Sequence, residues 1–265
     1  MKRAFTLSLL SLFMLSSLAL AEEWNKTYPL TGMPRLSVNA DDAEVRIKSC
    51  DCKQIQARIS WEGYKPEKVK ITENQDGDHI KLEVRTLNPH INITLGISHK
   101  WIHIDLSVPK LANIEAHTGD GKIEVEGIQG ELRVDTGDGG IDITGADGFL
   151  HAKSGDGHIK VAGRFDQLDL HTGDGRIEAQ IQHGSIIKSA WEVRSGDGRV
   201  NLHLPLDFSA NLYAKTGDGH IHSDLPLTVE GDVKGGSNKI QGKLNAGGGT
   251  LNIQTGDGSI YLERL

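Results

Sequence analysis

The sequence predicts an all-β protein: a parallel β-solenoid, β-helix-like, of about eight or nine rungs with an N-terminal β cap. Three observations carry this. One tetrapeptide recurs at near-constant spacing, apolar and polar residues alternate on both sides of it, and glycine is abundant (32 residues) while aromatics make up only 5%. The tetrapeptide is T/S-G-D-G, beginning at Thr118, Thr136, Ser154, Thr172, Ser195, Thr216 and Thr255. A degraded copy reads Gly235-Gly236-Ser237-Asn238, and successive starts lie 18, 18, 18, 23, 21, 19 and 20 residues apart. A unit of that length cannot bury an apolar face alone, so fixed periods of this size imply stacking.

The elements follow in chain order. Lys2 and Arg3, the apolar run Phe5 to Leu20 and the small-x-small site Ala19-Leu20-Ala21 form a signal peptide over residues 1–21. The run is shorter than the roughly 20 residues of a membrane-spanning helix. The expected mature chain is therefore exported, periplasmic or extracellular, with no membrane span. Losing Lys2 and Arg3 takes the formal charge from −7 to −9. An acidic surface of this kind argues against nucleic acid as a partner.

Residues 22–110 are expected to form the cap together with a first rung-like segment. Leu36 to Ile47 fits the rung template, with Ala40-Asp41-Asp42-Ala43 in place of T-G-D-G. Strand-like stretches follow at Ile55–Trp61, Val69–Thr72, His79–Thr86, Ile91–Leu95 and Trp101–Val108. Trp24, Trp61 and Trp101 suggest that the cap has a core of its own.

Residues 111–265 are expected to be the solenoid. In Leu132 to Ile143 the apolar residues are even-numbered before the turn (Leu132, Val134) and odd-numbered after it (Ile141, Ile143). A straight strand cannot point all four inward, whereas a corner at Gly137-Asp138-Gly139 can. The turn glycines are thus structural: Gly119, Gly121, Gly137, Gly139, Gly155, Gly157, Gly173, Gly175, Gly196, Gly198, Gly217, Gly219, Gly256 and Gly258. A second corner falls half a repeat later, at Gly127 to Gly130 and Gly145 to Gly148. After the last copy only Ser259 to Leu265 remain, which predicts an open C-terminal edge suited to self-association.

Stacked in register, Asp120, Asp138, Asp156, Asp174, Asp197, Asp218 and Asp257 form one column of carboxylates. Calcium is one remedy for their repulsion and predicts a melting temperature sensitive to chelation. The other is local. Basic residues flank the column two positions after the aspartate (Lys122, His158, Arg176, Arg199, His220, Lys239) and one before the turn (His117, Lys153, His171, Arg194, Lys215, Lys234). Asx-turn bonding to the backbone adds to this, so the column is read as structural and no cofactor is required.

The pairs His220/His222 and His99/His103 lack a third metal ligand fixed by sequence. Cys50-Asp51-Cys52 can bridge only through a very small loop, with a partner protein or a soft metal as alternatives, and receives no role. Catalytic motifs are missing, and a polysaccharide-active β-helix enzyme is the enzymatic alternative. Aromatic sugar platforms are scarce, since the repeats carry almost no Trp or Tyr apart from Trp191 and Tyr213.

A signal peptide, an irregular β segment, Val108-Pro109-Lys110 and T-G-D-G-x-I units together resemble the bacterial β-strand-repeat family of unknown function called "putative adhesins". The resemblance runs from about Leu36 to the end. It implies a parallel solenoid in the cell envelope and an adhesin-like binding or structural role, with an envelope ligand and no catalytic residues.

Overall fold

The computed structural model describes residues 22–87, 100–229 and 238–265. The expected leader, the Ile91–Leu95 stretch, His99, Lys234 and the start of the degraded copy lie outside them. The regular secondary structure of the described residues is strand, apart from one short 3-10 turn at Pro66–Lys68. The N-terminal strands are β1 (Glu22–Pro29), β2 (Arg35–Ala40), β3 (Glu44–Cys50), β4 (Gln54–Glu62), β5 (Val69–Asp76), β6 (His79–Thr86) and β7 (Trp101–Pro109). The central strands are β8 (Asn113–Thr118), β9 (Ile123–Glu126), β10 (Gln129–Thr136), β11 (Ile141–Ser154), β12 (Ile159–Thr172), β13 (Ile177–Ile181), β14 (Trp191–Ser195) and β15 (Val200–Leu204). The last are β16 (Ala210–Thr216), β17 (Ile221–Ser223), β18 (Leu227–Val229), β19 (Lys239–Leu244), β20 (Thr250–Thr255) and β21 (Ile260–Arg264).

Strands that precede the turns lie side by side in parallel. Their order is β6, β2, β8, β10, the second half of β11, the second half of β12, β14, β20, β16. Strands that follow the turns make a second parallel stack: β7, β3, β9, the first half of β11, the first half of β12, β13, β15, β21, β17. Antiparallel strands border the stacks, with β5 on β6, β4 on β7, β1 on β4, β19 on β16 and β18 on β19.

The corners resolve the parity switch. Leu132 and Val134 before the turn and Ile141 and Ile143 after it are all buried. Equivalent residues stack, as in Ile123, Ile141, Ile159 and Ile177, which are register partners from strand to strand. One apolar cluster runs from Tyr28 to Leu262, so the N-terminal strands share the core of the repeats rather than having their own. The second corners use left-handed backbone, with φ of +74° at Gly127 and +66° at Gly145, a region in which side chains with a Cβ are strained.

Chain order and spatial order part at both ends. The first strand pair, β2 and β3, lies between β6/β7 and β8/β9. The last pair, β20 and β21, lies between β14/β15 and β16/β17. The C-terminal segment is therefore no open edge. Leu251, Ile253, Ile260 and Leu262 are fully buried, and β21 is paired on both sides. Lys239, expected to follow a degraded turn in phase with the others, instead begins β19, which runs antiparallel to β16. The sequence signal was misleading here because the Thr216 and Thr255 turns are identical and either would stack in register on the Ser195 turn.

Cys50 and Cys52 form a disulfide, with Cα atoms 5.3 Å apart. The chain bends directly after β3, which brings the two within ordinary bridging distance.

Candidate functional site

The T-G-D-G corner is the most regular feature of the molecule. Each opening hydroxyl is buried. It bonds to carbonyls of the neighbouring turn: Thr136 Oγ1 lies 3.0 Å from Gly119 O and 2.9 Å from Gly121 O, and Thr172 Oγ1 lies 2.8 Å from Gly157 O. Ser195 reaches Gly175 O at 2.8 Å, Thr255 reaches Gly198 O at 2.8 Å, and Thr216 reaches Gly258 O at 2.7 Å. This hydroxyl spine retraces the order of the stacks, with the Thr255 turn between those of Ser195 and Thr216. Sequence reasoning passed over it, although the signal was present: position one of every intact copy carries a hydroxyl.

The first glycines add a backbone ladder, in which Gly155 N–H donates to Gly137 O, Gly173 to Gly155, Gly196 to Gly173, Gly256 to Gly196, and Gly217 to Gly256. The second glycines are required by proximity. A β-carbon at Gly157 would lie 2.0 Å from Gly139 O, inside van der Waals contact.

The seven turn aspartates are all exposed and do form the expected column. Their carboxylates lean along the stack; a β-carbon at Gly155 would meet Asp138 Oδ1 at 2.6 Å, and one at Gly173 would meet Asp156 Oδ1 at 2.6 Å. Asp120 N–H donates to Asp42 Oδ1 at 3.3 Å, which extends the pattern to the variant turn. Three of the flanking bases partner other carboxylates. Lys122 Nζ is 2.5 Å from Glu124 and 2.6 Å from Asp142, His158 is 3.2 Å from Asp142, and Arg194 is 2.8 Å from Glu192. A long side chain on a strand face reaches a carboxylate two residues along or on the adjoining strand more readily than it folds back around its own turn. Asp138 and its equivalents point along the corner instead. Among the described residues no three His, Cys, Asp or Glu side chains converge as a metal-ligand set.

Outward side chains make cross-strand networks. On the second stack, Arg46 bridges Glu44 at 2.6 Å and Glu124 at 3.3 Å. The ammonium of Lys122 holds the Glu124 carboxyl below its usual range, and burial only partly opposes it. On the first stack His151 lies between Asp169 (2.8 Å) and Asp135 (3.7 Å) on the two adjoining strands. The carboxylates of Asp135 and Asp169 raise the imidazole pKa above its ordinary value against the opposing effect of burial. Asp166 takes Arg164 at 2.6 Å and Lys188 at 2.7 Å, which pushes its pKa down to about 2. His103 pairs with Glu44 at 3.1 Å and stacks on Trp101, and His222 pairs with Asp224 at 3.0 Å. Trp191 is fully buried against Phe208, whereas Tyr213 faces outward.

The outer faces carry shallow grooves. One of about 290 Å³ is lined by Arg35, Asn113, Glu115, Glu131 and Arg133. Another of about 360 Å³ is lined by Asn211, Tyr213, Gln241, Lys243 and Thr250. No helix among the described residues is long and apolar enough to cross a membrane.

No curated protein matches the chain. Its fold is similar to the crystal structure of a "putative cell adhesion protein" from Clostridium sporogenes ATCC 15579, at 14% identity and TM-score 0.45, covering 93% of this chain and 100% of that one. It is similar to a "putative adhesin" from Bacteroides fragilis NCTC 9343, at 12% identity and TM-score 0.45, covering 92% and 97%. A "putative lipid binding protein" from Parabacteroides distasonis ATCC 8503 matches at 14% identity and TM-score 0.45, covering 91% and 96%. Residues 103–204, which hold the most regular run of turns, match the family described as Toastrack DUF4097.

Proposed function

We propose that the protein is an exported, non-catalytic β-solenoid of the cell envelope that serves as an adhesin-like structural or binding module. In this reading the nine stacked strand pairs are rungs, and the antiparallel strands at either end are caps that blunt the outermost edges. The observation that carries it is the character of the outer faces. They are broad rows of polar side chains, fixed by strand register and joined from strand to strand by pairs such as Lys122–Asp142 and His151–Asp169. Such a surface suits recognition of an extended partner through many modest contacts. The leader-like N-terminus supports export, and the T-G-D-G repeats support an envelope setting.

The test is direct. Labelled mature protein should bind envelope fractions of its source cells saturably and release no sugar or peptide products from them. Product release that tracks protein concentration would overturn the non-catalytic reading, and unsaturable or absent binding would overturn the binding one.

A further inference from the structure

One groove on the first stack differs from four others on the outer surface. Those four contain carboxylates: Glu115 and Glu131, Glu124 and Asp142, Glu73 and Glu83, or Asp105. Among the described residues, the groove over β16, β19 and β20 is lined by Asn211, Tyr213, Gln241 and Thr250, with Lys243 the one charged side chain. Register extends the strip without bringing in a carboxylate, and Lys215 and Lys239, partners of each other, stand at its end. Tyr213 is the partner of Gln241 on one side and of Asn252 on the other, and Asn211 is the partner of Thr250. Gln254 Nε2 donates to Asn252 Oδ1 at 3.1 Å, which keeps the two amides side by side. The adjoining carboxylate, Glu192, is engaged by Asn252 at 2.9 Å and Arg194 at 2.8 Å.

We infer that this strip is a saccharide-binding face, which takes a hydroxyl-rich glycan chain laid across β19, β16 and β20. The inference rests on the binding-module reading above and names its site and ligand class. Sugar hydroxyls both donate and accept, and so do carboxamides, whereas carboxylates only accept and ammonium groups only donate. A row of Asn, Gln and Thr can therefore follow a chain of hydroxyls without a fixed charge pattern. Tyr213 supplies an apolar ring for the C–H face of one sugar, and its hydroxyl supplies a polar edge. Lys239 Nζ lies over one face of that ring, 5.2 Å from its centroid, so a sugar would stack on the opposite face or displace the ammonium. Strands lie about 4.8 Å apart, so neighbouring amides offer contacts at the scale of successive sugar rings.

The full mature protein is immobilised and presented with soluble polysaccharides, some neutral (glucan, mannan, galactan) and some uronate-containing. Saturable binding to at least one class is expected. Tyr213→Ala and Gln241→Ala should each weaken it tenfold or more, Tyr213→Phe should retain most of it, and Glu178→Gln on the other stack should leave it unchanged. The two polysaccharide arms separate a neutral ligand from an acidic one held by the nearby lysines. Binding that survives both alanine variants, with their circular dichroism intact, overturns the site. Binding to envelope fractions but to no polysaccharide overturns the ligand class and leaves the binding module standing. Binding to neither overturns both.

Discussion

At the residue scale the most informative groups are small. Thr172 is fully buried, and its hydroxyl sits between Gly155 O at 3.2 Å and Gly157 O at 2.8 Å. Thr172→Val keeps the shape and removes the donor, leaving buried carbonyls with one bond fewer. A loss of about 1–2 kcal/mol is expected in denaturant unfolding, and no loss would mean that the spine is incidental. His151 gives a pH signature. Its folded-state pKa is raised by Asp135 and Asp169. Its contribution is therefore full below the unfolded value of about 6.5 and is lost as pH rises through the higher folded value. Melting temperature should fall over that interval, and His151→Gln should flatten the slope. A parent protein with no slope there would contradict the Asp–His–Asp arrangement. The inward aliphatic residues were legible in the sequence, because period-2 alternation needs no partner to be recognised. The cross-strand partner of Lys122, Asp142, was not. Which carboxylate on a neighbouring strand a surface cation meets depends on strand register, and register is a property of the stack.

At the element scale the unit is one turn with its two flanking half-strands. Its glycines serve different ends: Gly127 and Gly145 supply left-handed backbone, while Gly139 and Gly157 let two turns approach carbonyl to Cα. Gly157→Ala would place a methyl group 2.0 Å from Gly139 O, a contact that two stacked backbones cannot relieve by a side-chain rotation. It should destabilise the fold by about 2 kcal/mol or more, measurable as a shift in the unfolding midpoint. Ala at exposed Gly77, where a β-carbon meets nothing within 4 Å, lacks that clash and carries only the strain of φ +58°. The corner positions and the parity switch were readable from Leu132, Val134, Ile141 and Ile143 alone. In the N-terminal third, Leu36 to Ile47 was readable as a rung, whereas β6 and β7 were readable as strands but not as members of the same stacks, since no T-G-D-G mark joins them.

At the scale of the whole molecule the order of the strand pairs matters most. In a linear array, removing the last unit shortens the stack by one and leaves the remainder intact. Here the last unit is internal, so removing residues 250–265 takes away β20 and β21 and leaves β16 and β17 without their parallel neighbours. The truncated chain should become protease-sensitive across residues 205–248, with a drop in melting temperature larger than a terminal unit would give. An unchanged digestion pattern would contradict the internal placement.

The internal position of the C-terminal strand pair also decides how the molecule bears a load. A stack whose chain end is also its outermost strand can be unzipped from that end, one ladder bond at a time. Tension applied at Leu265 meets β21, held by β15 on one side and β17 on the other, so two parallel ladders are sheared together. Shear loads many backbone bonds at once, where peeling loads them singly. Tethered through its C-terminus, the molecule would thus grip like a wedge driven between layers, and the first part to give way would lie elsewhere in the chain.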